Sequence, residues 1–186
     1  MRARLIVGIS GATGSVYARR FLEVLKVSGQ IETHLVITKA AKRTLVEETS
    51  WRLEELEDLA DAVYDINHVN ACISSGDFTT KGMVIIPCSV RSMAAIALSL
   101  DDNLLVKTAT TTLRTGRKLV MVIRETPLHI GHIKIMLRLA EAGAILLPPI
   151  PTFERRPRTL QDLVDQMVDR VLAEFQLSAL GGKPQG

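Results

Sequence analysis

The sequence predicts a doubly wound α/β fold, in which helices cover both faces of one parallel β-sheet. Short apolar runs alternate with amphipathic stretches along almost the whole chain, as expected for strands that are buried on both faces. The first apolar run passes through glycines directly into a helical stretch, and no internal repeat interrupts the alternation. We therefore expect residues 1–176 to form one three-layer αβα domain and residues 177–186 to form a disordered tail.

The amino-terminal third of the chain supplies two strands and three helices. Residues 4–9, RLIVGI, form a continuous apolar run bounded by glycine, and residues 15–28 place their apolar side chains on one helical stripe. ETHLVIT, residues 32–38, predicts the second strand. Residues 39–48 and 53–61 predict two helices, the first through KAAKRTLVEE and the second through LEELEDLAD.

The middle of the chain begins with a segment that lacks clear periodicity. Residues 65–80 are polar and punctuated by glycine, and we expect a long surface loop with room for one short strand. Residues 82–87, GMVIIP, predict a buried strand. A helix over residues 89–100 follows, with Ser89 as its N-cap, and a second helix extends over residues 103–115.

The carboxyl-terminal part contains the run with the strongest β character, KLVMVIRE, at residues 118–125. A helix over residues 129–143 follows and stops at a glycine. Residues 144–149, AILLPP, predict the last strand. A proline-containing connector at residues 150–158 then leads to the closing helix over residues 159–175.

The composition excludes several functional classes. Of the 186 residues, 47% are hydrophobic and 4% are aromatic, and the net charge is +3 with a pI of about 9.0. The positive charges form no basic stripe with interleaved aromatics, so nucleic-acid binding is not expected. No apolar run approaches the ~20 residues that span a bilayer, and the glycine-broken amino terminus does not resemble a signal peptide. The two cysteines, Cys72 and Cys88, are too few for a disulfide framework and favour a reducing, cytoplasmic setting.

Ligands of doubly wound sheets bind at the carboxyl ends of the strands, so the residues after each strand are the candidates. The first such segment is GISGATG, residues 8–14. A glycine turn from a strand into a helix is typical of a phosphate site, although the glycines could also serve a tight turn alone. The spacing differs from the dinucleotide pattern G-x-G-x-x-G, and the second strand ends in Thr38 and Lys39, without an acidic residue. A mononucleotide phosphate or a flavin is therefore favoured over NAD.

Two further strand ends carry charged and hydroxyl groups. PCSVRS places Ser89, Arg91 and Ser92 in the first turn of a helix. They form either a cradle for a phosphate or a flavin edge, or a plain serine cap beside a solvated arginine. In IRETP, Arg124 and Glu125 follow the strongest strand. They either clamp an anion and position or protonate a leaving group, or they satisfy each other as an ion pair.

Two other pairs of side chains have a functional and a structural interpretation. His129 and His132 are three residues apart at a helix start, a spacing that can bind a metal. No third ligand is evident nearby, and a polar role at the helix terminus is favoured. Glu47 and Glu48 stand at the end of a helix, where solvated carboxylates are the default interpretation.

Several segments, taken in order, resemble the UbiX-type flavin prenyltransferases over about residues 3–176. The segments are VGISGATGSVY, ETHLVITKAAKRTL, ISSGDFTTKGMVIIPCS, RKLVMVIRETPLHIGHI, GAILLPPIPTF and the RP before the last helix. The resemblance implies a flavodoxin-like, Rossmann-like fold and a homododecamer. It implies a reaction that joins the dimethylallyl group of dimethylallyl phosphate to reduced FMN at flavin N5 and C6. The prenylated FMN would serve a UbiD-type decarboxylase, and no metal would be required.

The resemblance also implies roles for individual residues. Glu48 and Glu125 match acidic residues of the active site, and Arg114 stands where a lysine helps to hold the substrate phosphate. Arg170 matches a basic residue that reaches the same phosphate across a subunit boundary. The substrate-phosphate group therefore comprises Arg114, Arg124, Glu154 and Arg170. The FMN-binding positions are matched by Gly11, Ala12, Thr13, Thr38, Ser89, Val90, Arg91, Ser92 and Arg124.

The sequence departs from the family pattern mainly at the substrate phosphate. Glu154, in FERRP, replaces the tyrosine of the FYxxP motif whose hydroxyl contacts that phosphate. Lys107 replaces an arginine, Thr110 replaces an aspartate, and the RWQG near the carboxyl terminus is absent. At an effective dielectric constant of about 20, a carboxylate ~4 Å from a second negative charge costs about 4 kcal/mol, unless Arg155 and Arg156 neutralise it. Three hypotheses follow: a working flavin prenyltransferase, a relative that binds FMN without the usual prenylation, and an unrelated nucleotide-binding oxidoreductase.

Overall fold

A computed structural model describes residues 2–177 and places six strands in one sheet. The sheet order is β3-β2-β1-β4-β5-β6, and every neighbouring pair is parallel. The order reverses between β1 and β4, so the topological switch point lies at their carboxyl ends. The strands are β1 (Ala3–Ile9), β2 (Ile31–Ile37), β3 (Ala62–Tyr64), β4 (Gly82–Cys88), β5 (Lys118–Ile123) and β6 (Ile145–Leu146).

Seven helices cover the two faces of this sheet within residues 2–177. α1, α2, α3 and α7 pack on one face, and α4, α5 and α6 pack on the other. None of the helices in the described part of the chain is long and apolar enough to cross a membrane. Their bounds are α1 (Ser15–Ser28), α2 (Lys39–Glu48), α3 (Leu53–Glu57), α4 (Val90–Ala97), α5 (Leu104–Arg114), α6 (Ile130–Glu141) and α7 (Leu160–Glu174).

Most strand residues are apolar because both faces of the sheet are covered. In β1, Leu5, Val7 and Ile9 contribute to the core on the α1 side, and Ile6 contributes to the core on the α5 side. Successive side chains of a strand point to opposite faces, so a continuous apolar run is what this position requires. The doubly wound α/β fold predicted from the sequence is confirmed.

Several elements differ from their predicted bounds, among them the last strand, which covers only Ile145–Leu146 of the predicted residues 144–149. The sequence left room for a short strand within residues 65–80, but β3 (Ala62–Tyr64) ends before that segment, whose regular structure is a 3₁₀ helix at Cys72–Ser74. The helix predicted over residues 53–61 ends at Glu57 and is followed by a turn. The helix predicted over residues 89–100 ends at Ala97, because the backbone soon adopts left-handed φ values of 52° at Ser99 and 49° at Asp101. The tail predicted at residues 177–186 lies outside the described residues, apart from its first residue.

A buried histidine on β2 makes the fold sensitive to acid. The His34 ring is 4% exposed, and its nitrogens lie 2.8 Å from the Tyr64 hydroxyl and 3.0 Å from a Glu32 carboxylate oxygen. Burial lowers the pKa of His34 below its ordinary 6.5, and the hydrogen bond to Glu32 offsets this in part.

We expect the free energy of unfolding to fall as the pH drops below about 6.5, the ordinary pKa of histidine. The unfolded chain then binds a proton that folded His34 takes up at lower pH, so acid favours unfolding. Urea midpoints measured at pH 7.5 and 5.5 test this. His34→Gln removes the titration and should lose less stability over the same interval than the wild type. Equal losses in the two proteins would contradict the assignment.

Candidate active site at the switch point

Two loops meet where the order of the strands reverses. β1 runs into residues 10–14, and β4 runs through Ser89 into α4. The Ser89 hydroxyl caps α4 by accepting a hydrogen bond from the amide of Ser92 at 3.3 Å. The loops leave several amides directed at no protein acceptor, and such amides are typical ligands for an anion. Within residues 2–177, these are the backbone N–H groups of Gly11, Thr13, Val90 and Arg91.

The start of α2 forms the third wall of the site. The Thr38 amide donates to the carbonyl of Ile9 at 2.9 Å, and the Thr38 hydroxyl caps α2 by accepting from Ala41 at 3.1 Å. The proton of that hydroxyl is therefore available for a ligand. Gly11 packs directly on this helix start, and a Cβ built on it would lie 2.4 Å from the Cβ of Ala40. The close approach of the loop to α2 therefore requires glycine at position 11.

Arg124 and Glu125 do not satisfy each other. No ion pair joins them in the described part of the chain. The Arg124 amide donates to the carbonyl of Cys88 at 3.2 Å, which brings Arg124 beside the start of α4. One carboxylate oxygen of Glu125 accepts the amide of Thr126 at 2.8 Å. Arg124 and Arg91 are exposed, so the site has two guanidinium groups available for an anion.

Glu48 occupies the amino terminus of α1, where the sequence predicted a phosphate. Its carboxylate accepts the amide of Gly14 at 2.9 and 3.0 Å and the amide of Ser15 at 2.9 Å. Gly14 is the N-cap of α1 and has no side chain to cap the helix, so a carboxylate from the end of α2 supplies the acceptor. A ligand phosphate is therefore directed to the neighbouring amides. The structure therefore brings Glu48 to the site, where its carboxylate caps the start of α1.

We expect Glu48→Ala to lower the stability of the fold by about 1 kcal/mol, the typical value of an N-terminal cap. The substitution leaves the amides of Gly14 and Ser15 without their acceptor. Thermal denaturation of Glu48→Ala measures the effect, with Glu47→Ala as the matched control on the same helix. The same melting temperature in both variants would show that the cap contributes nothing measurable.

Arg114 is not at the switch point of its own chain. α5 connects β4 to β5 and ends at Arg114, four residues before β5 begins. The first residues of β4 and β5 pair with each other, so Arg114 lies at the amino edge of the sheet. The length of β4 then separates it from Ser89 by roughly 20 Å, at about 3.3 Å per residue. Lys107 lies nearer the start of α5 and donates to the side chain of Asn70 at 2.7 Å.

Arg170 lies on α7, and Glu154 lies on the segment that leads into it. The guanidinium group of Arg170 donates to the carbonyl of Ile150 at 3.1 Å and to the hydroxyl of Thr152 at 3.2 Å. Glu154 is exposed and makes no hydrogen bond or ion pair with any residue between 2 and 177. Arg155, a candidate to neutralise it, instead lies 3.8 Å from the carboxylate of Asp169.

His129 and His132 cap α6. The Nδ1 atom of His129 accepts the amide of Gly131 at 3.0 Å, and the Nδ1 atom of His132 accepts the amide of His129 at 3.5 Å. In this arrangement each neutral ring carries its proton on Nε2, which is then a donor and not a metal ligand. No group of three or more His, Cys, Asp or Glu side chains in the described residues is arranged to hold a metal ion.

One buried side chain of the site was not singled out from the sequence. Ser10 is 1% exposed and lies between the two loops, where its hydroxyl oxygen accepts the amide of Ser89 at 2.7 Å. The sequence did contain a signal for this role. A serine in a glycine turn directly after a buried strand has few polar partners except those at the end of the neighbouring strand in the sheet. Cys88 lies beside it, and burial raises the pKa of that thiol to about 12, so no charge arises there near neutral pH.

These features define the class of protein. A doubly wound sheet whose switch point presents unpaired amides, hydroxyl groups and two guanidinium groups is an α/β protein that binds an anionic mononucleotide. The pyrophosphate position of dinucleotide enzymes, at the start of α1, is already taken by Glu48.

Comparisons with known proteins identify the family. The family model named Flavoprotein matches residues 1–172. The chain is 48% identical to the flavin prenyltransferase UbiX of Escherichia coli over 175 residues, covering 94% of this chain and 93% of the relative. The crystal structure of AnUbiX (PadA1) in complex with FMN and dimethylallyl pyrophosphate matches with a TM-score of 0.95 and 38% identity, covering 100% of this chain and 98% of that one.

A second solved structure is also similar. The dodecameric FMN-dependent UbiX-like decarboxylase from Escherichia coli matches with a TM-score of 0.93 and 40% identity, covering 98% of this chain and 100% of that one. The chain therefore belongs to the flavoprotein family and, within it, to the UbiX-type flavin prenyltransferases.

Proposed function

We propose that the chain is a flavin prenyltransferase that joins the dimethylallyl group of dimethylallyl phosphate to reduced FMN. The observation that carries this proposal is the concentration of anion-binding groups at the switch point, where unpaired amides occur on the same strand ends as the exposed residues Arg91 and Arg124. Close relatives over nearly the whole chain are flavin prenyltransferases, and one structural neighbour was solved in complex with FMN and dimethylallyl pyrophosphate.

The residues at the switch point fit FMN. The unpaired amides and the Thr38 hydroxyl suit its phosphate, and the hydroxyl groups at the start of α4 suit the polar edge of the ring. Reduced FMN supplies the electron-rich N5 and C6 positions that receive the allyl group. The residues proposed to hold it are Gly11, Ala12, Thr13, Thr38, Ser89, Val90, Arg91, Ser92 and Arg124.

The protein's contribution to the reaction is to hold the donor and to stabilise the departing phosphate. Arg124 stabilises the negative charge that grows on the phosphate as its bond to the allyl group weakens. Glu125 keeps one carboxylate oxygen free of the backbone, and this oxygen can carry the proton that the leaving phosphate requires. Glu48 holds α1 and its preceding loop in place through the amides of Gly14 and Ser15. Positive charge from arginine allows the phosphate to leave without a metal ion.

The donor site is completed by other copies of the chain. Arg114 lies roughly 20 Å from Ser89 within one copy, at the opposite edge of the sheet, and is proposed to reach the donor phosphate from a neighbouring subunit. Arg170 is proposed to reach the phosphate in the same way. An exposed apolar stripe on α6 supports assembly, since Ile130 and Leu137 are 69% and 58% exposed in the single chain. We propose a homododecamer, as in the UbiX-like structural neighbour.

The product and its setting follow from the same proposal. The prenylated FMN is handed to a UbiD-type decarboxylase, as the family resemblance implies. Both Cys72 and Cys88 are free thiols, which supports a reducing, cytoplasmic location. Residues 1–176 are proposed to act as one flavin-binding domain.

Mass spectrometry of the flavin tests the proposed reaction. The purified protein is incubated anaerobically with reduced FMN and dimethylallyl phosphate, and the flavin is then released and its mass is measured. A flavin that has gained one five-carbon unit supports the proposal. A tightly bound but unmodified flavin would instead indicate a relative that does not prenylate, and a protein that binds no flavin would contradict both interpretations.

A further inference from the structure

The two loops of the switch point are connected by one buried hydroxyl group. The Ser10 oxygen accepts the amide of Ser89 at 2.7 Å and lies 3.2 Å from the carbonyl oxygen of Pro87 and 3.3 Å from the Ser89 hydroxyl. The Ser10 amide also donates to Pro87 at 3.2 Å. Ser10 is on the β1 side, and Pro87 and Ser89 are on the β4 side. This side chain therefore ties together the two halves of the crevice.

The hydrogen bonds continue from Ser10 into α4. The Ser89 hydroxyl lies 3.2 Å from the Ser92 hydroxyl and accepts the Ser92 amide at 3.3 Å. A hydroxyl has one proton to donate, so if Ser10 donates to Ser89, then Ser89 donates to Ser92. The proton of the Ser92 hydroxyl is then left for a ligand. The orientation of this short series of hydroxyl groups depends on the buried one.

We propose that Ser10 is a positioning residue that sets the flavin site, by fixing the Ser89 cap and the unpaired amides that follow it. Ser10 is buried and acts through Ser89 and Ser92. Removing its hydroxyl leaves the Ser89 amide without its acceptor and frees the cap to rotate. The start of α4 then presents its amides and hydroxyl groups to FMN in more than one arrangement. This inference rests on the proposed binding of FMN at the switch point.

Ser10→Ala is the direct test, and the dissociation constant of FMN is the measurement. We expect the constant to rise 10- to 100-fold, with a changed visible absorption spectrum of the bound flavin. Ser10→Thr keeps the hydroxyl group and should bind FMN within about threefold of the wild type. FMN binding by the wild type is measured first, so a failure of the proposed cofactor site is recognised separately.

A matched control separates positioning from general loss of stability. Ser74 is 7% exposed, and its hydroxyl donates to the carbonyls of Val69 and Ala71, both at 2.9 Å, in the loop before β4. Ser74→Ala should lower the melting temperature and leave the FMN dissociation constant unchanged. If folded Ser10→Ala binds FMN within threefold of the wild type, or if both variants weaken FMN binding equally, the proposal is overturned.

Discussion

Gly11→Ala is expected to weaken FMN binding by about 100-fold or more while the chain still folds. A Cβ at this position would lie 2.4 Å from the Cβ of Ala40 and 3.1 Å from its carbonyl carbon. Both atoms belong to the first turn of α2 and cannot rotate away, so the loop of residues 10–14 has to move. A displacement of about 1 Å in a positioning group can lower a reaction rate roughly 100-fold, and we expect a loss of the same order in FMN affinity.

The contact between positions 11 and 40 provides its own control. Ala40→Gly removes the Cβ that the new side chain would meet, so the double variant should recover part of the lost affinity, and a double-mutant cycle measures the coupling. Gly76→Ala is a matched substitution elsewhere, since a Cβ there meets its nearest atom, in Thr115, at 3.6 Å. It should bind FMN as the wild type does. A Gly11→Ala protein with unchanged affinity would show that the loop tolerates the extra methyl group.

The strands and the position of the crevice could be predicted from the sequence because their signals are local. The run over residues 5–9 is apolar at every position, which requires cover on both faces, and such a sheet places its ligand site at the carboxyl ends of its strands. The glycine turn and the Ser89 cap are also local signals, and the structure contains both. Short elements that depend on their neighbours for stability, such as β3, are harder to predict from the sequence.

The contacts that define the chemistry of the site are not local. Glu48 is 34 residues from Gly14, and no spacing rule links the end of one helix to the start of another. For that reason the sequence predicted a ligand phosphate where the protein supplies its own carboxylate. The position of Arg114 is different, since it follows from topology. Once α5 is recognised as the connection from β4 to β5, its last residue has to lie at the edge opposite the crevice.

Glu154→Tyr is expected to raise kcat/KM for dimethylallyl phosphate by about tenfold. The family resemblance implies that Glu154 lies beside the donor phosphate, where its carboxylate repels the substrate and a tyrosine hydroxyl would donate a hydrogen bond to it. Glu154 is exposed in the single chain, so solvent reduces the repulsion to about 1 kcal/mol, well below the value for a desolvated pair. The gain should therefore appear mainly as a lower KM for the donor, measured at saturating reduced FMN.

Glu154→Gln separates the loss of charge from the gain of the hydroxyl group. Glu154→Gln removes the repulsion and should raise kcat/KM for the donor several-fold, whereas the rest of the tenfold gain requires the tyrosine hydroxyl. Since the repulsion is electrostatic, the difference between the wild type and Glu154→Gln should shrink as the ionic strength rises. The dissociation constant of FMN should stay the same in both variants, because Glu154 is not among the residues proposed to hold the flavin. If Glu154→Gln leaves the KM for the donor unchanged at low salt, then Glu154 does not face the phosphate, and the donor is bound by the arginines alone.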